Sequence, residues 1–213
     1  MIESRCGIKC SNCEYKEQMN CKECIHIEKP FWGDTCPVKA CCEDKKLTHC
    51  GLCDEFPCEI IKAFSFDKEQ GDNGTRLIQC WNWNLEETTA YKCLNQFLQS
   101  MQGVSRDFKE EWGWIRYMVG EKMFAAICKD ASGTRNILTL KLVPLDGEFL
   151  RNQYEDIIPG HYMNKAHWNS IYLDGSVPEQ LINELIEKSY YLVRSGLSKK
   201  KQSELENSQL ENS

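Results

Sequence analysis

Apolar positions recur along the chain at two different spacings, and they begin late. Before Phe56 hydrophobic residues other than cysteine are sparse. Residues 59–66 then read as a short helix, and the polar, glycine-containing stretch DKEQGDNGTR at 67–76 as a linker. Asn84 followed by Glu87 is a capping-box pattern, and Ala90, Leu94, Phe97, Leu98 and Met101 recur at helical spacing, which predicts a helix opening a second domain. Residues 114–119 and 122–128 are strand-like on either side of Gly120-Glu121, a two-residue turn with glycine first, so a β-hairpin is expected. Residues 136–143 predict a third strand, 146–154 a short helix and 168–173 a fourth strand rich in aromatic and β-branched residues.

A capping box with proline at the first helical position, Ser176-Val-Pro-Glu179, precedes the stripe Leu181, Ile182, Leu185, Ile186, Ser189, Leu192 and Val193. That periodicity predicts an amphipathic helix ended by Gly196. The remaining tail is polar and aperiodic and is expected to be disordered. The pattern gives an α+β chain: a cysteine-rich domain over residues 1–66, a linker over 67–85, a domain of helices on an antiparallel sheet over 86–200, and a tail over 201–213.

Charge narrows the functions open to this chain. The formal net charge is −6, and residues 86–201 carry fifteen Lys and Arg against fifteen Asp and Glu, without the basic excess by which nucleic-acid domains displace counterions from phosphate. No apolar run approaches the roughly 18 residues that span a bilayer, so no membrane partner is expected. The opening MIESRCGIKCSNC lacks a charged start followed by an apolar stretch, and a cytoplasmic location is the expectation.

A reducing compartment decides how the fourteen cysteines are read, since thiols there persist as thiols, metal ligands or catalytic groups rather than as disulfides. Eleven of them lie between Cys6 and Cys58, in a segment too poor in hydrocarbon to fold without a staple. Three CxxC pairs stand out: Cys10/Cys13, Cys21/Cys24 and Cys50/Cys53. Two intervening residues let the backbone turn so that both thiolates face one ion, and two such turns complete the tetrahedral shell of a structural zinc.

The candidate ligands are therefore Cys10, Cys13, Cys21, Cys24, Cys36, Cys41, Cys50 and Cys53, enough for about two four-thiolate zinc sites. Cys6, Cys42 and Cys58 are further candidates, and His26 or His49 could replace a thiolate; spacing does not say which residues share an ion. The alternative cofactor is an iron–sulfur cluster, because Cys6, Cys10 and Cys13 form CxxxCxxC and Cys36-Pro37 has the Cys-Pro step of ferredoxin sites. The paired spacing favours zinc. CxxxCxxC also serves radical enzymes that cleave S-adenosylmethionine, but those need a large α/β barrel that this chain lacks, and a redox CxxC would sit in a βαβ pattern that is equally missing.

RCGIKCSNC, CKEC and HCGLCDEFPCEIIKAF resemble a bacterial and archaeal cysteine-rich domain of unknown function, over about residues 4–66. GVSRDFKEEWGWIRYMVGEKMFAAI, LRNQYEDIIPGHYMNKAHWNSIYLDG and ELIEKSYYLVRSGL resemble the MmcQ/YjbR family over about 86–200. The second resemblance implies a CyaY-like, frataxin-like fold and a DNA-binding role assigned by analogy of hairpins with winged motifs. On that analogy the contact residues would be Asn164, Lys165, His167, Trp168, Arg116 and Lys122, with Trp168 stacking on a base. A structural alternative has Trp168 opening a core strand while Asn164 and His167 hold the loop entering it.

Catalysis needs a nucleophile with a base, a paired acid and base, or an open metal position, and His161 and His167 have no identifiable serine or cysteine partner. The expectation is a noncatalytic zinc-binding protein with DNA as its candidate partner. The alternatives are an iron–sulfur or metal-sensing redox protein, and a module that binds another protein or a small ligand.

Overall fold

The computed structural model of the chain describes residues 1–160 and 163–210, with side chains described to residue 206. The chain divides into two compact units, the first closing at Glu87 and the second opening at Thr88. Among the described residues no helix is long and apolar enough to cross a membrane.

The first unit is a series of short elements: α1 (Tyr15–Gln18), α2 (Pro37–Asp44), α3 (Glu59–Ser65) and α4 (Thr75–Thr88), with single helical turns at Cys10–Asn12 and Cys50–Leu52. Pro37 at the first position of α2 suits a residue whose missing N–H is not needed there. Helix α4 overturns the expected linker at 67–85 and the expected helix start at Asn84, since both Asn84 and Glu87 lie inside it. It supplies the hydrocarbon that the first 58 residues lack: Leu77, Ile78, Trp81, Trp83 and Leu85 are all buried.

Two Cys-Gly steps pack on the backbone of α4. A Cβ on Gly7 would stand 2.1 Å from the Arg76 carbonyl oxygen, and one on Gly51 2.1 Å from the Cys80 carbonyl oxygen. Those carbonyls are one helical turn apart, so the residues after Cys6 and Cys50 meet successive turns of the same helix face. Phe56 stands edge-on to Trp81 at 5.7 Å between centroids, and the His49 ring does the same to Trp83 at 5.4 Å.

The second unit begins with α5 (Leu94–Ser100), shorter than the predicted helix, and continues through β1 (Val104–Lys109), β2 (Trp114–Val119), β3 (Lys122–Lys129), β4 (Asn136–Lys141), α6 (Pro144–Gln153), β5 (Ile157–Pro159), β6 (Trp168–Tyr172), α7 (Glu179–Ser195) and α8 (Lys199–Leu210). The strands form one antiparallel six-stranded sheet in the order β1-β2-β3-β4-β6-β5. Two of them were not predicted. β1 is a largely polar edge strand, and β5 is three residues long and ends in proline.

Gly120 (φ +52°) and Glu121 (φ +66°) are both left-handed, the turn that matches the twist of a two-residue hairpin. Helix α7 lies across β2, β3 and β4, and α5 packs on β1 and α7. Ile182, Leu185, Ile186, Tyr190 and Val193 are its buried apolar positions, as the stripe predicted. One polar residue in that stripe has a defined task. A register shift near Phe124 leaves it unpaired with β2; Ser189 Oγ donates to its carbonyl oxygen (2.5 Å) and accepts from the Lys141 N–H (2.9 Å), tying α7 to β3 and β4.

The predicted capping box at Ser176 is not formed. Ser176 instead donates through its backbone N–H and hydroxyl to Asp156, and α7 starts after Pro178 without a side-chain cap. The tail read as disordered is helical over Lys199–Leu210, joined by Lys201 to Glu121 and by Glu206 to Arg194; residues 211–213 lie outside the described residues.

Candidate metal centres

Thiols in the first unit collect into two groups on either side of the segment around Arg5. The Arg5 N–H donates to Cys24 Sγ (3.3 Å), while the Arg5 carbonyl accepts from the Cys50 N–H (2.8 Å) and faces Cys42 Sγ (3.8 Å). One peptide segment thus touches both groups. Its guanidinium donates to the Thr48 carbonyl (2.8 Å), fixing the segment against the loop that leads into Cys50.

The first group holds Cys6, Cys10, Cys13, Cys24 and Cys36. Burial, and after it the neighbouring Cys24, Glu23, Cys6 and Cys13, pushes the Cys10 thiol up to about 12. Burial followed by Cys6 and Cys36 raises Cys24 to about 11, against the Arg5 N–H that lowers it. Cys6 is raised mainly by burial, with Cys36 a smaller contributor. Cys10 Sγ donates to the Glu3 carbonyl (3.4 Å), as a thiol that retains its proton does. Cys21 follows α1, its N–H held by the Lys16 carbonyl (2.9 Å).

The second group lines a small, partly open cavity of about 10 Å³, room for a single water-sized body. Cys41, Cys42, Cys50, Cys53 and Cys58 line it together with Lys45, Leu47 and Phe56. Cys42 and Cys50 sulfurs are 3.4 Å apart, within hydrogen-bond reach of each other. Their mutual hydrogen bond draws Cys42 down and pushes Cys50 up. Cys41 is raised by burial and then by Cys42, Cys58 and Cys53. Lys45 Nζ reaches Cys53 Sγ (3.3 Å) and Glu55 (2.9 Å), holding a positive charge at the rim.

Among the described residues no group of three or more His, Cys, Asp or Glu side chains is placed so as to hold a metal ion. Closing a shell requires the thiols of a group to rotate inward and lose their protons, as metal sites commonly do when binding is coupled to folding. The donor set suits that step. Soft sulfur ligands line a small, largely apolar cavity, and close thiols repel one another as thiolates unless a cation lies between them.

The histidines go elsewhere. His49 Nδ1 accepts from the Gly51 N–H (3.1 Å) and caps the Cys50–Leu52 turn. Its Nε2 is buried with Glu87 3.8 Å away, and burial pushes the imidazole down to about 4. His26 lies 3.9 Å from Glu23.

Residues singled out as nucleic-acid contacts are held within the second unit. Arg116 Nε and Nη2 donate to both Asp107 carboxylate oxygens (2.8 and 2.5 Å), and its guanidinium covers the Trp112 ring. Lys122 donates to the Gly196 carbonyl (3.0 Å), and Trp168 is buried at the start of β6, pairing with Lys141. Asn164 Oδ1 accepts from the Ala166 N–H (2.9 Å), and its carbonyl accepts from the N–H groups of His167 and Trp168. Lys165 and His167 are exposed, and His161 lies outside the described residues. Trp168 is thus buried and Asn164 holds its own loop, whereas His167 takes part through its backbone alone.

Comparison with known proteins divides the chain along similar lines. A family model described as YjbR matches residues 99–192, and one described as a protein of unknown function, DUF3795, matches residues 2–63. The uncharacterised protein YjbR of Escherichia coli strain K12 is 34% identical over 97 residues, covering 46% of this chain and 80% of that protein. The uncharacterised protein YyaQ of Bacillus subtilis strain 168 is 40% identical over 86 residues, 40% of this chain and 69% of that protein. The crystal structure of a Deinococcus radiodurans protein described as a DUF419 domain is 31% identical, with a TM-score of 0.49 over 55% of this chain and 88% of that one.

Proposed function

Because the chain belongs to the YjbR family, whose relatives named above are described as uncharacterised, we propose that its distinctive chemistry lies in the first unit, a noncatalytic thiolate metal module binding about two zinc ions. The observation that carries this is the small cavity of about 10 Å³ lined by five cysteines. Cys6, Cys10, Cys13, Cys24 and Cys36 supply the other group of donors. A closed shell of four thiolates leaves no position for a water nucleophile, so the bound ion fastens loops rather than activating substrate.

Zinc is preferred to iron and sulfide because a cavity this small suits one ion rather than a cluster with its own bridging sulfides. The second unit is then a binding domain of CyaY-like architecture attached to the module. DNA is the weaker partner for it, since Arg116 and Lys122 are engaged within the unit and Trp168 is buried. Retardation of random duplex that falls steeply with salt would restore DNA binding.

Chelation tests the module. A strong zinc chelator at neutral pH is expected to loosen the loops around α4 and shift the fluorescence of Trp81 and Trp83 to the red, with recovery on adding zinc. A purified protein whose fluorescence and circular dichroism ignore the chelator would count against a metal staple.

A further inference from the structure

We propose that the second thiol group forms one metal centre whose four ligands are Cys41, Cys50, Cys53 and Cys58, with Cys42 and Lys45 serving the coordinated sulfurs from outside; this assignment rests on the metal-module reading above. Sequence spacing puts both Cys36 and Cys41 among the candidate ligands without saying which residues share an ion, and only Cys41 lines the cavity. Cys36 precedes α2 and is not among the residues lining the cavity, whereas Cys41, the fifth residue of that helix, lines it. Cys58, surplus by spacing, takes the place of Cys36.

The cavity has room for one ion, so five thiols exceed a tetrahedral shell by one. Cys50 and Cys53 belong to one tight turn, closed by the Cys53 N–H on the Cys50 carbonyl (3.0 Å), and the Phe56 N–H on the Cys53 carbonyl (2.9 Å) continues the chain toward Cys58. Cys41 and Cys42 are successive residues of α2 and point about 100° apart around its axis, so only one of them faces the ion squarely.

Cys42 is the inner one. It is 1% exposed and its sulfur is directed at the Arg5 carbonyl and at Cys50, whereas Cys41, Cys53 and Cys58 all keep some exposure. The Cys42–Cys50 hydrogen bond holds one proton between two sulfurs. When Cys50 gives its electron pair to the ion it releases its own proton, and Cys42 keeps its own, turning it from the Arg5 carbonyl to the coordinated sulfur. Lys45 does the same at Cys53, offsetting the net −2 of a divalent ion with four thiolates. Each of the four ligands releases its thiol proton to solvent on binding.

The test uses the full chain loaded with zinc or cobalt(II), with ions per chain counted by native mass spectrometry and cobalt ligand-field bands read in the visible. Wild type is expected to carry two ions, Cys58→Ser one, and Cys42→Ala two, with the second bound about 10-fold more weakly. If Cys58→Ser does not fold, Cys58→His decides: an imidazole in the shell shifts the cobalt bands, whereas unchanged bands place residue 58 outside it. Loss of an ion in Cys42→Ala, with both retained in Cys58→Ser, would overturn the assignment and make Cys42 the fourth ligand. A wild-type chain that takes up no ion would remove the module reading itself, a failure distinct from either variant result.

Discussion

Gly51 lies so close to Cys80 that a methyl group placed on it would stand 2.1 Å from the Cys80 carbonyl oxygen. That contact is between backbones, so no side-chain rotation relieves it. Gly51→Ala is expected to push the Cys50–Cys53 turn away from α4 and cost about 1–3 kcal/mol of stability, comparable to overpacking a core. Urea unfolding checks this, and an unchanged midpoint would show that the turn does not bear on α4 as described.

Ser189 makes a second prediction because its hydroxyl connects one helix to two strands. Ser189→Ala removes the donor to the Phe124 carbonyl and the acceptor of the Lys141 N–H, and the Ser189 site is fully buried. The expected loss is about 1–3 kcal/mol, the range for leaving buried polar groups unpaired. Thermal unfolding of the full chain, followed through β-sheet circular dichroism, measures it.

Arg135 and Asp174 give the second unit a pH dependence of defined sign. The Arg135 guanidinium donates to both Asp174 oxygens and lies over the Tyr172 ring at 3.6 Å, holding the Asp174 carboxyl below its usual range. A depressed carboxyl contributes stability above its unfolded value near 3.9 and loses it as pH falls through the folded value. Asp174 is 48% exposed, so solvent screening limits the effect to about 1 kcal/mol or less. Asp174→Asn should therefore be less stable than wild type at neutral pH, with the difference fading as pH falls to about 3. A difference that persists at that pH would point to packing instead.

Much of the second unit was legible because its signals are local. Gly120-Glu121 between alternating runs gives the central hairpin, and the stripe from Ile182 to Val193 gives α7. β1 escaped because its residues are mostly polar, its order coming from pairing with β2 rather than from its own pattern. Helix α4 escaped for the opposite reason. Asn82 and Asn84 are buried polar residues that break its stripe, and Asn84 with Glu87 imitates a helix start.

The cysteines divide in the same way. CxxC spacing marks turns that bring two sulfurs together, but it does not show that α2 carries Cys41 away from Cys36, nor that Cys58 returns to the same cavity. Nor does it show that Arg5, a residue with no sequence signal of its own, touches Cys24 through its N–H and Cys42 and Cys50 through its carbonyl.

Metal content tests the account most directly. Protein purified without added metal and without oxygen, analysed for zinc, iron and sulfide alongside its visible spectrum, is expected to contain about two zinc per chain and to be colourless. Iron with sulfide and a brown absorption would contradict the zinc assignment and place an iron–sulfur centre among these cysteines. A chain free of both metals, with all its thiols titratable in the folded state, would contradict the metal module altogether.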